Sequence, residues 1–193
     1  MLTENQIKAI KILTDYLIKN NIICALFAGA AATVYGSERK VTDIDFITSN
    51  ENYKKIIKDL KNYLISICKK SEIIDTPKAK FNIENSVIEI TPDIKIHLDK
   101  NYKFYFDDEM ISKLKEVKLN ETKIKVLSPE DSIVFKSILQ RGEEQGKFDI
   151  QDVEAILKNQ EIDWNYLKHR AIKCDAYGRV KQLMNKLGYG DNL

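Results

Sequence analysis

The chain has 193 residues, of which 44% are hydrophobic, and carries 31 basic against 29 acidic side chains. That length fits one domain, or one domain with a helical appendage, able to bury roughly 70% of its unfolded surface without an external staple. Near-balanced charge excludes a global nucleic-acid footprint while leaving room for a local basic patch.

Cys24, Cys68 and Cys174 lack the paired spacing of a zinc site. No apolar run approaches the roughly 20 residues of a membrane span. The expectation is a soluble cytoplasmic protein with reduced cysteines and no membrane contact.

Ile7, Ile10, Leu13 and Leu17 recur at helical spacing behind the capping residue Thr3, and predict an opening amphipathic helix that covers a sheet. Ile22 to Phe27 is short and continuously apolar, the pattern of a buried strand. Ala28, Gly29, Ala30 and Ala31 follow, and Gly29 lets the backbone turn tightly into a helix over Ala30 to Tyr35. The free N–H groups of such a helix start suit a triphosphate, although close packing of helix on sheet explains the same small residues.

After a turn at Gly36, a second strand over Asp43 to Thr48 presents Asp43 and Asp45 on one face and Ile44 and Phe46 on the other. Neighbouring like charges raise each other's pKa unless a cation compensates them. Magnesium binds through one or two carboxylates plus substrate phosphates, so the pair reads as half of a phosphoryl-transfer site.

Tyr53, Ile56, Ile57, Leu60, Tyr63, Leu64 and Ile67 keep a helical period and predict one full amphipathic helix with a solvated lysine face. From Phe81 the period changes to two, through Val87, Ile88 and Ile90 and then Ile94, Ile96 and Leu98, around the break at Thr91-Pro92-Asp93. Tyr102 to Phe106 is β-prone, Asp107-Asp108-Glu109 opens a short helix, and Val117 to Leu119 with Ile124 to Leu127 form a hairpin.

Ser128-Pro129-Glu130-Asp131 is a helix start, with serine as cap and proline in the first position. Asp149 and Asp152 lie in the first turns of the next helix, where capping and ion pairing with Arg141 or Lys147 account for them. Asp163 caps a last helix to Gly188 with a basic face: Lys168, His169, Arg170, Lys173, Arg179, Lys181 and Lys186. A solvated face is the default for it, and an RNA-contacting face the sharper alternative.

The spaced set of Gly29, Gly36, Arg39 and Asp43-Ile44-Asp45 resembles the polymerase-beta type nucleotidyltransferase superfamily. Its small prokaryotic members, which include abortive-infection and minimal-nucleotidyltransferase toxins and antitoxins, are the nearest pattern. Ala28 stands where the family has its first glycine, and Val41 where a threonine is common. Lys136, Arg141 and the run Lys147-Phe148-Asp149-Ile150-Gln151-Asp152 resemble the same family.

The resemblance implies an α+β fold, a small mixed sheet with flanking helices over residues 1–127 and a helical region over 128–193 packed on it. It implies a nucleoside triphosphate held by Ala28, Gly29, Arg39, Lys136, Arg141 and Lys147, and magnesium or manganese on Asp43 and Asp45. It also implies a third carboxylate from a neighbouring strand. Asp99 is favoured there because an oxygen ligand suits magnesium better than the imidazole of His97, the alternative third position, with Asp93 and Glu89 as outsiders.

The implied activity is metal-dependent transfer of a nucleoside monophosphate to an acceptor hydroxyl on RNA, protein or a small molecule. The alternative is a catalytically degenerate module acting through a partner protein, such as a toxin–antitoxin component.

Overall fold

A computed structural model describes residues 2–68 and 73–193. Helix α1 (Glu4–Lys19) begins with a capping box: the Thr3 hydroxyl accepts from the Gln6 N–H, and the Gln6 side chain accepts from the Thr3 N–H. Its apolar stripe, Ala9, Ile10, Leu13 and Leu17, is buried.

Strand β1 (Cys24–Phe27), helix α2 (Ala28–Val34), strand β2 (Ile44–Thr48) and helix α3 (Asn50–Asp59) follow. Next come β3 (Leu64–Cys68), β4 (Lys78–Ile83), β5 (Ser86–Thr91), β6 (Ile94–His97), β7 (Asn101–Phe104), α4 (Asp108–Lys113), β8 (Lys115–Leu119) and β9 (Thr122–Val126). Helices α5 (Pro129–Leu139), α6 (Asp149–Asn159), α7 (Trp164–Lys173) and α8 (Tyr177–Lys186) complete the chain.

The strands form a seven-stranded mixed sheet in the order β3-β4-β5-β2-β1-β9-β8, with β6 and β7 paired separately. The centre alternates its senses: β1 is antiparallel to β2 but parallel to β9, and β2 is parallel to β5. This is the α+β mixed sheet with flanking helices that the sequence predicts. Ile44 and Phe46 of β2 are buried, which leaves the opposite face of the strand to Asp45.

Two predicted elements are corrected. The helix expected from Tyr53 to Ile67 ends at Asp59, and Leu64-Ile65-Ser66-Ile67-Cys68 is instead strand β3, paired antiparallel with β4. A β-branched run of that length fits either period, and pairing along β4 selects the extended form. The single last helix is two, because the chain breaks at Asp175, whose φ of 58° is left-handed.

Helix α5 is buried along its whole length, so its charged residues Glu130, Asp131 and Lys136 find their partners inside the protein. Phe135 meets Phe27 of β1 and Phe104 of β7, with ring centroids 5.3 and 5.2 Å apart, and so fixes α5 against the strands. The opposite flank of the helix carries charge. Asp131, fully buried, accepts from Arg170 Nε at 2.8 Å, from the Tyr166 hydroxyl at 2.9 Å and from the Ser128 hydroxyl at 2.9 Å.

Arg170 continues to Asp107 at 3.0 Å, and Lys173 reaches both Asp107 and Glu109. The basic face expected to be solvated is therefore partly consumed within the fold. Lys181 donates to the Gly190 carbonyl, and Arg179 pairs with Asp99.

Burial pushes the Asp131 carboxyl up even with the Arg170 guanidinium beside it, so the pair holds the helices together at a desolvation cost. Arg170→Met should therefore destabilise the protein by about 3–5 kcal/mol, because it leaves Asp131 buried and uncompensated. Adding Asp131→Leu to that variant should restore more than half of the loss. Urea unfolding of the two variants beside the native chain measures both.

Candidate active site

Strand β1 leads into α2 through Ala28, which adopts the left-handed conformation at φ 55°. That geometry is natural for glycine and costs an L-residue roughly 1–2 kcal/mol, so alanine here keeps the backbone turn at the price of strain. At Gly29 a Cβ would run into the guanidinium of Arg39. Arg39 is not free to yield. Its Nε and Nη2 donate to Asp152 at 3.0 and 3.1 Å, and its plane lies 5.3 Å from the Phe148 ring centroid.

Asp152 is fully buried and also accepts from the Ser37 hydroxyl at 2.7 Å, while Lys136 Nζ approaches it to 2.6 Å. Burial works against its charge, but Lys136, Arg39 and Ser37 together hold its carboxyl below the usual range. Lys136, itself buried, also reaches Asp149, whose other oxygen accepts from Arg141 Nε at 2.7 Å.

These residues wall a cavity of about 210 Å³ that brings together Ala28, Gly29, Arg39, Asp43, Asp45, Lys136, Arg141 and Lys147, residues from both halves of the sequence. Every residue expected to hold the nucleotide lines it. They differ in availability. The charges of Arg39, Lys136 and Arg141 are engaged by Asp149 and Asp152, whereas Lys147 is exposed with no ion pair among the described residues.

A smaller adjoining cavity of about 140 Å³ shares Ala28, Asp43, Asp45, Phe135, Arg141 and Lys147, and extends over Thr76, Lys78, Glu89 and Thr91. Asp43 is exposed just before β2, and the Asp45 side chain is 18% exposed on it.

Glu89 on β5 stands directly opposite Asp45 in the parallel β2–β5 register, and its side chain is only 4% exposed. Lys78 holds one of its oxygens and Lys80 the other, the latter at 2.6 Å. Burial raises the Asp45 carboxyl to about 6, with Lys78 opposing and Glu89 and Asp43 adding to the rise. Glu89 goes the other way: the two lysines overcome its burial and hold it below the usual range.

Asp99 and His97 lie outside both cavities. Asp99 is exposed, accepts from the Tyr102 hydroxyl at 2.7 Å and pairs with Arg179 at 3.2 Å. His97 Nε2 faces Asp75 at 3.2 Å, and its Nδ1 meets the Asn101 side chain. Asp93 is held by Asn50 and the Phe106 N–H.

The carboxylate beside Asp45 is thus Glu89, a residue given little weight from sequence. Its signal was the acid between two apolar neighbours in Ile88-Glu89-Ile90, on a strand that pairs with β2 rather than on the separate β6–β7 pair. Lys78 and Lys80, which flank it, carried no sequence expectation.

Among the described residues no three His, Cys, Asp or Glu side chains are gathered on one point as a finished metal centre. The donor set of Asp43, Asp45 and Glu89 is nonetheless all carboxylate oxygen, and Asp45 is left short of positive charge. Both features fit a hard divalent cation such as magnesium or manganese.

Replacing Asp45 by Asn in chelator-treated protein should stabilise the fold by about 1–2 kcal/mol near pH 8. At that pH the native carboxyl, raised to about 6, is buried in its charged form, a cost that asparagine does not carry. The native chain therefore catches up as pH falls through about 6, and the difference should vanish below about pH 4, the unfolded carboxylate value. Thermal unfolding across that range reads the sign. Ala28→Gly should raise stability by up to about 1 kcal/mol in the same assay, since glycine relieves the left-handed strain but frees the unfolded chain.

No curated protein matches the chain in sequence. The profile of a family described as uncharacterised nucleotidyltransferase matches residues 3–189. Among solved structures, a Thermotoga maritima protein proposed to be a nucleotidyltransferase aligns with a TM-score of 0.61 at 19% identity, covering 76% of this chain and 90% of that one. The antibiotic-resistance factor ANT(2'')-Ia, solved with adenylyl-2''-tobramycin, aligns at 0.55 and 12% identity over 94% and 98% of the two chains.

The lincosamide antibiotic adenylyltransferase LnuA, solved with lincomycin, aligns at 0.52 and 21% identity over 80% and 98%. At these identities the likeness shows a shared fold, and the family profile, spanning nearly the whole sequence, shows membership. The chain belongs to that nucleotidyltransferase family, whose profile covers residues 3–189.

Proposed function

We propose that this protein is a metal-dependent nucleotidyltransferase that binds a nucleoside triphosphate in the cavity between β2, the Ala28-Gly29 turn and the Arg141–Lys147 loop. The observation that carries this reading is the convergence of Asp43, Asp45 and Glu89 with a cationic wall in adjoining cavities. Lys147, exposed and unpaired among the described residues, neutralises triphosphate charge, while Arg141, whose Nε and Nη2 are taken by Asp149, offers its remaining Nη1 to the phosphates. Arg39 and Lys136 act from behind, holding the turn and α6 in place through Asp152.

Asp43, Asp45 and Glu89 would hold magnesium or manganese. Bound there, the metal neutralises charge on the phosphates and polarises the reacting phosphoryl group.

Glu89 takes the part expected of Asp99, because it stands opposite Asp45 while Asp99 is committed to Tyr102 and Arg179. An acceptor hydroxyl in the Thr76–Thr91 cavity lies on the Glu89 side. Its oxygen attacks the α-phosphorus, its proton passes to the carboxylate directly or through one water, and pyrophosphate leaves. The acceptor is a hydroxyl on RNA, on a protein or on a small molecule, and the small volume of that cavity suits a single hydroxyl-bearing group rather than a bulky whole ligand.

A second reading, a non-catalytic module working with a partner protein as in toxin–antitoxin pairs, draws on one observation: both Glu89 oxygens are held by lysines.

Triphosphates labelled at the α-phosphate, incubated with magnesium or manganese and transfer RNA, total protein or candidate small molecules, separate the two. Label should appear on one acceptor class with the native chain. Glu89→Gln should reduce transfer by at least about a hundredfold while changing triphosphate affinity less than about threefold. Equal metal-dependent triphosphate binding by the native chain and Asp43→Asn/Asp45→Asn would remove the carboxylates from the site, and binding without transfer to any acceptor would favour the second reading.

A further inference from the structure

The carboxylates at the centre of the site already have a cation beside them, and it belongs to the protein. Asp45 and Glu89 face each other across two parallel strands. The ammonium of Lys78, on the next strand, contacts Glu89 Oε2 and lies 3.7 Å from Asp45 Oδ1. Lys80, two residues on and thus on the same face of β4, holds Glu89 Oε1 at 2.6 Å and makes no ion pair with Asp45. Lys78 therefore bridges the two acids, whereas Lys80 only anchors one of them.

A divalent ion shared by Asp45 and Glu89 needs an oxygen of each at about 2.0–2.1 Å, and with Glu89 Oε1 held by Lys80 the oxygen left to it is Oε2, the one the Lys78 ammonium contacts. Two cations cannot share that oxygen, because contact between like charges in a partly desolvated cleft costs more than either gains. Lys78 is able to leave. Its side chain is 32% exposed, its four-carbon stem is flexible, and it borders the open cavity beside Thr76. Glu89 would not move with it, since Lys80 keeps its hold on the other oxygen.

We infer that Lys78 is a displaceable internal counter-ion that competes with the divalent metal for the Asp45–Glu89 pair. This rests on the reading of those carboxylates as metal ligands. In the resting chain Lys78 neutralises the pair and keeps affinity for the free metal low. A metal arriving with a triphosphate brings phosphate oxygens that can receive the expelled ammonium, so the competition favours metal delivered with nucleotide over metal alone. Lys78 is thus a positioning residue, acting through Asp45 and Glu89 rather than on the reacting atoms.

The test is titration calorimetry of manganese alone, without nucleotide, into the full chain. Lys78→Met, which keeps the length of the stem and removes the charge, should bind manganese at least about tenfold more tightly than the native chain. Lys78→Arg, which keeps the charge, should stay within about threefold of native, and Asp45→Asn should bind at least about tenfold more weakly.

Unchanged or weaker binding by Lys78→Met, with Asp45→Asn still impaired, overturns the competition and leaves the carboxylate reading standing. Equal binding by native chain and Asp45→Asn overturns both. Should Lys78→Met fail to give a cooperative thermal transition, the native chain decides the question through acetic anhydride labelling read by mass spectrometry. Manganese should raise acetylation of Lys78 at least about threefold relative to Lys123 on the β8–β9 hairpin, and an unchanged ratio overturns the inference.

Discussion

The fully buried carboxylate of Asp152 is the point at which two halves of this chain become one site. It receives Arg39 and Ser37 from the loop between α2 and β2, and Lys136 from α5, while it rides on α6. A buried acid with a single partner would be a liability, because desolvation penalises charge more than one ion pair returns. With three partners its carboxyl stays ionised, and each partner is thereby fixed. Arg39, held this way, comes so close to Gly29 that no side chain fits there, and the turn that lines the cavity inherits its shape from an ion pair more than a hundred residues away in sequence.

The same accounting of charge divides the basic residues into those that build and those that remain available. Lys136 and Arg170 are buried and opposed by acids of the neighbouring helices. Lys147 is left without such a partner among the described residues, and it lines both cavities. A motif that joins lysine, arginine and lysine over a helix and its following loop thus separates, once folded, into scaffold charges and a charge left open at the cavity. Burial, which the sequence does not display, makes the separation.

Legibility followed the range of the interactions. The signature from Gly29 to Asp45 lies within a strand, a short helix and a strand, so its spacing can be read locally. Lys136, Arg141 and Lys147 could be named only through a family pattern, since nothing local to α5 points at β2. The third carboxylate depends on which strand lies beside β2, a fact of sheet topology. The β6 strand has the expected alternation and carries His97, yet it pairs only with β7, while β5 pairs with β2 and carries Glu89. Likewise Leu64 to Cys68 satisfies a helical period as well as an extended one, and only the presence of β4 as a hydrogen-bonding neighbour decides between them.

Ala28 shows what such dependence on topology allows. The resemblance places a glycine there, and this chain has alanine. The backbone keeps the left-handed turn regardless, at φ 55°, and the cavity still opens beside it. A cost of roughly 1–2 kcal/mol is within what surrounding structure can absorb when flanking elements are fixed elsewhere, and here β1 is paired on both sides while α2 packs on α5 and α6. The geometry of the site is therefore over-determined by the sheet and by the Asp152 network. A single departure from the motif changes its energy more than its shape, so the motif's loss of a glycine does not by itself imply loss of the cavity it frames.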